Sequence, residues 1–565
     1  MFVLLQRQEI NYNFHKNFDK QNYNCYFAVL KTSLMLKNVS KIIGLLVLIL
    51  SMNCARRGTI TGGLKDSLAP VVVQSLPKNF STNFKGKIIK ISFDEYVKIK
   101  NLNKQLIVSP PMKNQIEVTP YTASKELSIK IRDTLKPNTT YSFNFGNSIE
   151  DNNENNPLKQ FKFVFSTGAA IDSLKLSVNA KDAFERKVTN FVSVFLYEIT
   201  EKYNDSVVYK QLPRYVANTL DSLKTVTFEN LREGKYRLVA VKDLNSNNKF
   251  DPKTEKIGFV KEFVSVPNEG SFELKLFKET LPFKIANLSQ VSGNKLIAGF
   301  EGDYKDLKTE IKKNNQKQDF IITKFPKKDS LQIWIKAQKN DSLNFEFSKN
   351  KYEKKFAIKF KNQKKDTLQF TAEQSDVVLF RDDYTIDASR PLSKFDISKM
   401  VLLNKDSVSQ KFKMEYDDWN QKVKIIFEKQ ELEKYKLKIF PGAITDFYDT
   451  KNDSLIFKFS TKRTSDYGNL RVKLENVKRF PIILQITNQN GELIASQSSD
   501  KNTALNFDLV EPNKFVLRLI YDDNNNGIWD SGSFLQLKQP EEVVYFPNSI
   551  DVRANWDWEQ IFDLK

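Results

Sequence analysis

The sequence predicts an all-β protein built as a tandem array of antiparallel β-sandwich domains. Three observations carry that expectation. Apolar and polar residues alternate with a period of two through much of the chain, as in Lys90-Ile91-Ser92-Phe93, the pattern of a strand with one buried face. Phe (44 residues) and Tyr (20 residues) are abundant, and aromatic side chains suit pleated, half-buried surfaces. Turn formers such as Pro110-Pro111 and Lys136-Pro137-Asn138 interrupt the alternation at short intervals. At 565 residues the chain exceeds what one hydrophobic core supports, and a scale of about 150 residues per domain calls for about four or more units.

The first element is an export signal. From Met35, a basic stretch with Lys37 and Lys41 leads into Ile42-Ile43-Gly44-Leu45-Leu46-Val47-Leu48-Ile49-Leu50 and then Ser51-Met52-Asn53-Cys54. The apolar run has the length of a signal-peptide core and is short for a bilayer span. Residues 1–34 lack periodicity and would bury the signal inside the chain. We therefore read them as an upstream extension, with translation starting at Met35, residues 35–53 as signal peptide and 54–67 as a Gly-containing tether. On that reading His15 and Cys25 are not in the mature chain, which has no histidine and keeps Cys54 as its one thiol. Losing residues 1–53 removes six Lys/Arg and two Asp/Glu and takes the net charge from +20 to about +16.

A lone cysteine directly after an apolar run resembles the lipobox of bacterial lipoproteins. The resemblance implies lipid attachment at Cys54 and a membrane partner held through that anchor. Ser51 and Asn53 depart from it, since the family prefers a large aliphatic residue and a small one there. In the flavobacterial-type lipoproteins this chain resembles, acidic residues after the cysteine accompany export to the outside face. Here Arg56 and Arg57 follow, which implies an outer-membrane lipoprotein on the periplasmic face.

The positive charge is spread along strands as Lys alternating with apolar residues and is balanced locally by Asp and Glu. Nucleic-acid binders concentrate Lys and Arg in a stripe or arm, or in a recognisable module. No such block occurs, so no nucleic-acid partner is expected; an envelope protein or a polysaccharide fits diffuse positive charge better.

Two kinds of unit follow the tether, each used twice. Residues 68–168 hold Ala69-Pro70, Pro77, Phe93-Asp94-Glu95-Tyr96-Val97, Leu135-Lys136-Pro137-Asn138-Thr139-Thr140-Tyr141, Asp151-Asn152-Asn153-Glu154-Asn155 and Phe163-Val164-Phe165-Ser166-Thr167. These resemble the bacterial Ig-like domain of surface-layer and exported proteins, which implies a sandwich, an extracytoplasmic setting and no catalytic activity. A second copy occupies 373–463, with Val423, Ile425, Phe427, Tyr435, Leu437, Ile439, Asp446-Phe447-Tyr448-Asp449 and Phe457-Lys458-Phe459-Ser460-Thr461. Its turn before Tyr435 reads three residues shorter than the one before Tyr141.

The other unit occupies 169–279 and 464–565. From Phe228 to Asp251 a constant offset of 279 lays the first copy on the second without a gap. Phe228 falls on Phe507, Gly234 on Asn513, Tyr236 on Phe515, Leu238 on Leu517, Asp243 on Asp522, Phe250 on Trp529 and Asp251 on Asp530. Simultaneous matching of aromatic, aliphatic and acidic positions marks a true repeat. Gly234, Tyr236 and Leu238, ahead of an Asp/Asn-rich loop, resemble the small prealbumin-like sandwiches of bacterial adhesins. Residues 280–372, with Leu331-Gln332-Ile333-Trp334-Ile335 and Phe356-Ala357-Ile358-Lys359-Phe360, also alternate and read as a further β domain of no assigned family.

The one constellation with ligand chemistry sits in those repeated loops. Asp243, Asn245, Asn247 and Asp251, and likewise Asp522, Asn524, Asn526 and Asp530, place side-chain oxygens at positions one, three, five and nine, with a residue tolerant of positive φ at six. That repeats the first part of an EF-hand loop, and hard oxygen ligands suit calcium. Thr254 and Ser533 stand where the completing glutamate would be, so any calcium is weakly held, at about 0.1 to 1 mM. The competing reading is a turn capped by Asp and Asn side chains. The loop 151–156 lacks regular ligand spacing and reads as a solvated turn.

No phosphate-binding loop, dinucleotide-binding glycine pattern, nucleophile elbow or His-Glu-x-x-His occurs. Without histidine, Ser-His-Asp and Cys-His mechanisms are excluded as well. The expected function is a non-enzymatic envelope scaffold or binding lipoprotein, a semi-rigid rod of domains. The alternatives are a carbohydrate-binding module array and, below it, a glycosidase with a carboxylate pair that sequence spacing does not reveal.

Overall fold

A computed structural model describes residues 66–565 apart from 188, 221–224, 327 and 375. Cys54, the signal segment and residues 1–34 lie outside the described residues. The described chain is almost entirely β, arranged as successive pairs of mostly antiparallel sheets. Helix is confined to short turns such as Leu102–Gln105 and Val207–Lys210, and no helix among the described residues is long and apolar enough to cross a membrane.

In the first sandwich, Val72–Leu76, Ile88–Ile99, Ser124–Lys130, Glu117–Thr119 and Ile149–Asp151 form one sheet, and Ile107–Ser109, Thr140–Asn144 and Lys162–Ser166 the other. The alternation works as expected: Ile89, Ile91, Phe93, Leu127, Ile129, Tyr141, Phe143, Phe145, Phe163 and Phe165 point inward and are buried together. Phe165 is the hub, with rings of Phe84, Tyr141 and Phe143 at centroid distances of 4.6, 5.4 and 5.6 Å. Each such side chain, withdrawn from water, stabilises the fold by about 1.5–3 kcal/mol.

The fourth sandwich repeats this plan in Tyr384–Ala388, Lys422–Phe427, Lys434–Ile439 and Leu455–Ser460 around Tyr384, Ile425, Tyr435, Leu437 and Phe459. Its turn before Tyr435 is not shorter where it is anchored. The Tyr141 hydroxyl accepts the Lys136 backbone N–H at 2.9 Å and the Tyr435 hydroxyl accepts that of Gln430 at 2.8 Å, both five residues upstream. Thr167 and Thr461 close the same corners on Thr139 and Glu433. The anchoring hydrogen bond fixes the spacing, so the length difference read from the sequence does not fall between the tyrosine and its partner.

The second and fifth sandwiches match strand for strand. One sheet holds Tyr215–Asn218, Ser193–Glu198, Gly234–Val241, Ile257–Phe259 and Val264–Val266; its counterpart holds Leu493–Ser499, Ile482–Thr487, Asn513–Tyr521, Val543–Tyr545 and Ile550–Val552. In both, the last strand runs parallel to the first, Ser271–Leu276 beside Leu174–Asp182 and Asp557–Asp563 beside Gly468–Glu475. Between the pairs lies a third sandwich, Lys284–Ser292 to Tyr352–Lys359, around Ile311, Ile333 and Phe345.

Several strands are buried on both faces instead of alternating, namely Ser193–Glu198, Gly234–Val241, Ser330–Ile335 and Asn513–Tyr521. Their outer faces are covered by other parts of the chain. On the third sandwich Gln332 donates to the Gln421 side-chain oxygen at 3.1 Å, and Tyr304 stacks on Trp419 at 5.1 Å. The fifth sandwich covers the second: Phe534 joins a cluster with Tyr197, Val239, Phe250, Phe259 and Phe277. A string of units touching only their neighbours, the expected rod, is therefore corrected by a contact between sandwiches more than 250 residues apart in sequence.

Candidate functional site

The two Asp/Asn loops connect Gly234–Val241 to Ile257–Phe259 and Asn513–Tyr521 to Val543–Tyr545. The offset of 279 found in the sequence relates equivalent positions on the central strands of the two sheets. Val239, Ala240 and Val241 pair with Phe259, Gly258 and Ile257, while Arg518, Leu519 and Ile520 pair with Tyr545, Val544 and Val543. After the loop the offset becomes 286 and stays there, since Gly234 pairs with Val266 and Asn513 with Val552. The second copy thus carries seven extra residues between its loop and its next strand.

In the first loop, Asp243 accepts the backbone N–H of Asn247 at 3.2 Å and of Asn248 at 2.8 Å. Asn245 shares the Asn247 donor, and Asn247 accepts from Lys249. Asp251 turns to Lys253 N–H and the Thr254 hydroxyl. The second loop repeats the start: Asp522 accepts from Asn526 at 3.0 Å and Gly527 at 2.8 Å, Asn524 shares the Asn526 donor and Asn526 accepts from Ile528. There, however, the amides of Asn524 and Asn526 both donate to the Asp530 carboxylate. The second loop therefore gathers all four of its side chains, whereas the first gathers Asp243, Asn245 and Asn247 and directs Asp251 elsewhere. Position six is left-handed in both, Asn248 at φ 55° and Gly527 at φ 77°, as a tight reversal requires.

Sequence reasoning missed the residue that closes each loop. Glu255 accepts Leu244 N–H and Asp251 N–H, both at 2.9 Å. Glu541 accepts Asp523 N–H and Asp530 N–H, both at 2.8 Å. Each carboxylate clasps positions two and nine of its loop, and both are buried. Glu255 lies four residues beyond Asp251 and Glu541 eleven beyond Asp530, so a fixed ligand spacing finds neither; following the repeat past its seven-residue insertion would have paired them. Burial pushes both glutamates above the ordinary carboxylate range. Burial also raises Asp243, against the pull of its backbone N–H partners. In the first sandwich, Asp151 is subject to the same burial, but four backbone N–H groups, from Asn153 to Asn156, outweigh it and hold the group low.

The oxygens present are of the hard kind calcium takes, two carboxylates and two amides per loop. Among the described residues no group of three or more His, Cys, Asp or Glu side chains gathers as a metal cluster. Glu301 and Asp329 line a cleft of about 390 Å³, a setting in which a carboxylate pair for sugar hydrolysis could be sought. Glu301 is held low there by Lys284 and Lys253, the opposite of what a general acid needs.

Residues 66–167 match the family model of the bacterial Ig-like domain. None of the curated proteins matches the chain. Among solved structures it is similar to domains 1–6 of the surface layer protein SbsC (9% identity, 86% of this chain and 67% of that one, TM-score 0.15). It is also similar to the TIE protein of Bacillus anthracis (11% identity, 89% and 76%, TM-score 0.14) and to an I-band fragment of titin (12% identity, 42% and 93%, TM-score 0.12). Scores this low relate no single sandwich to those chains, and the fold stands on the strand pairings themselves.

Proposed function

We propose that the chain is a non-enzymatic scaffold of the cell envelope, anchored through lipid on Cys54 and holding its sandwiches outside the cytosol. The observation that supports this reading is how the described residues are used. Sheet pairs follow one another from Val72 to Asp563, and the polar constellation repeated in the second and fifth sandwiches is spent on holding backbone at the two loops. The match of 66–167 to the bacterial Ig-like domain adds a module common in exported proteins. The outer membrane's periplasmic face is the proposed site, and an envelope protein or polysaccharide the proposed partner. Calcium is part of the proposal, bound weakly by Asp243, Asn245, Asn247 and Asp251 and by Asp522, Asn524, Asn526 and Asp530, where it would stiffen the second loop, whose four side chains already converge, and draw Asp251 into the first.

Mass spectrometry of the N-terminus of protein isolated from its native membrane tests the reading. The expected mature chain begins at an acylated Cys54. A cytosolic chain retaining the residues ahead of Met35 would overturn it.

A further inference from the structure

We propose that the seven-residue insertion of the fifth sandwich is a latch that closes it onto the second and makes sandwiches two to five a closed loop. The latch is a tight reversal in which Ser533 and Lys538 each donate a backbone N–H to the other's carbonyl, at 2.8 and 2.9 Å. At its tip Phe534, 0% exposed, sits among the rings of Phe259 (5.3 Å) and Tyr209 (6.4 Å) of the second sandwich. Its backbone N–H donates to Glu279 at 2.6 Å, so the buried segment leaves that donor satisfied. Gly532 permits both the tight reversal and its close approach: a Cβ there would stand 2.6 Å from the Lys538 carbonyl of the latch itself and 2.7 Å from the Phe277 ring.

The surrounding contacts are specific to these two sandwiches. Gln539 donates to Phe259 carbonyl at 2.8 Å, Tyr545 hydroxyl to Phe184 carbonyl at 2.6 Å, and Ser531 to Lys278 carbonyl. Trp529 packs on the Phe184 ring at 4.7 Å, and the Arg518 guanidinium lies over the same ring at 4.1 Å. Arg518 is buried and hydrogen-bonds the neutral side chains Gln485 and Tyr545, so the Phe184 ring face supplies much of its compensation. The first copy has no counterpart of the insertion. The contact is therefore one-sided, a plug on one repeat and a socket on the other, which specifies a single closed arrangement.

Glu279 ends the second sandwich, so the docked latch bridges the start and finish of everything between 280 and 530. Tension applied between the first sandwich and Lys565 passes from the second sandwich to the fifth through this contact. The third and fourth are shielded until it parts.

Small-angle scattering and single-molecule pulling on the full chain test this, using wild type, Phe534→Asp and the milder Gly532→Ala. The latch predicts a larger radius of gyration in both variants. It also predicts an early, low-force extension in wild-type traces that is lost in the variants, while the later unfolding events remain. Amide-exchange protection of 239–241 and 518–520 unchanged from wild type shows that the two sandwiches still fold. An unchanged radius of gyration in folded variants, or an early event that persists in them, overturns the proposal. So does a Lys278→Cys plus Ser531→Cys variant that cross-links between chains into a dimer, since the plug would then serve a second copy.

Discussion

The two Asp/Asn-loop sandwiches share eight strands, one register and one loop, yet differ in what surrounds them. In the first, Asp251 runs directly into the clasp at Glu255; in the second, the chain makes a detour between Asp530 and Glu541 and plants Phe534 in the other copy. The difference teaches that the loop and its clasp are one structural device and the detour another. The clasp survives the insertion because it is defined by where the carboxylate lands in space, between positions two and nine.

The comparison can be broken hardest at the core. Leu238→Ala and Leu517→Ala remove equivalent buried side chains and should each destabilise their sandwich by about 2–5 kcal/mol, read as separate transitions in urea unfolding. If only one of the pair is costly, the two cores are not equivalent.

Next comes the clasp. Glu255→Ala and Glu541→Ala each take the acceptor from two backbone N–H groups; Leu244 and Asp523 are exposed, so water replaces part of what is lost and the cost is about 0.5–1.5 kcal/mol for each hydrogen bond. Faster amide exchange at Leu244 and Asp251, and at Asp523 and Asp530, checks it. Similar effects in both variants would show that the clasp is indifferent to its sequence spacing.

Calcium sharpens the contrast between the loops. With dissociation constants of about 0.1 to 1 mM, about 10 mM calcium should add about 1.4–2.7 kcal/mol to each sandwich that binds it, seen as a rise in its melting temperature. Because the second loop already gathers all four side chains, Asp522→Ala should abolish more of that rise than Asp243→Ala. No rise in the wild type, or an undiminished rise in the double variant, rejects the metal.

The smallest expected effect is the pH response. Glu255 and Glu541 have folded-state pKa values raised above 4.5. Their contribution is fully present below that value and is lost as pH rises through the raised ones, because the folded loops hold protons the unfolded chain has given up. Asp151, lowered from 3.8, behaves oppositely: its contribution is present above that value and lost as pH falls through the lowered one. Amide protection, corrected for intrinsic exchange and followed down through the acid range, should thus rise at Leu244 and Asp523 while it falls at Asn153 to Asn156. A common direction would contradict the assigned environments.

Much of the fold was legible in the order of residues alone. Ile89, Ile91 and Phe93 alternate because a strand's side chains point to opposite faces, and that local geometry puts them in the core whatever packs above. The Asp/Asn-loop repeat was legible for the same reason: two copies of one sheet keep the same residue spacing, so residues 279 apart take equivalent places in separate sheets. There was also a trace of the wider packing. Runs such as Tyr236-Arg237-Leu238-Val239-Ala240-Val241 and Phe515-Val516-Leu517-Arg518-Leu519-Ile520-Tyr521 are apolar on both faces apart from their arginines, the mark of a sheet covered on both sides.

What covers them was decided only by tertiary structure. Phe534, Gly532 and Gln539 sit in a stretch without periodicity, and their partners lie more than 250 residues away, so nothing in their neighbourhood encodes the contact. Glu255 and Glu541 were hidden for a related reason, since one clasp position is reached by two different chain lengths. The sequence by itself determined which residues face inward and which units repeat, because those follow from the local geometry of a strand. Which faces meet across the chain depended on shape and donor–acceptor complementarity between surfaces that no local pattern records.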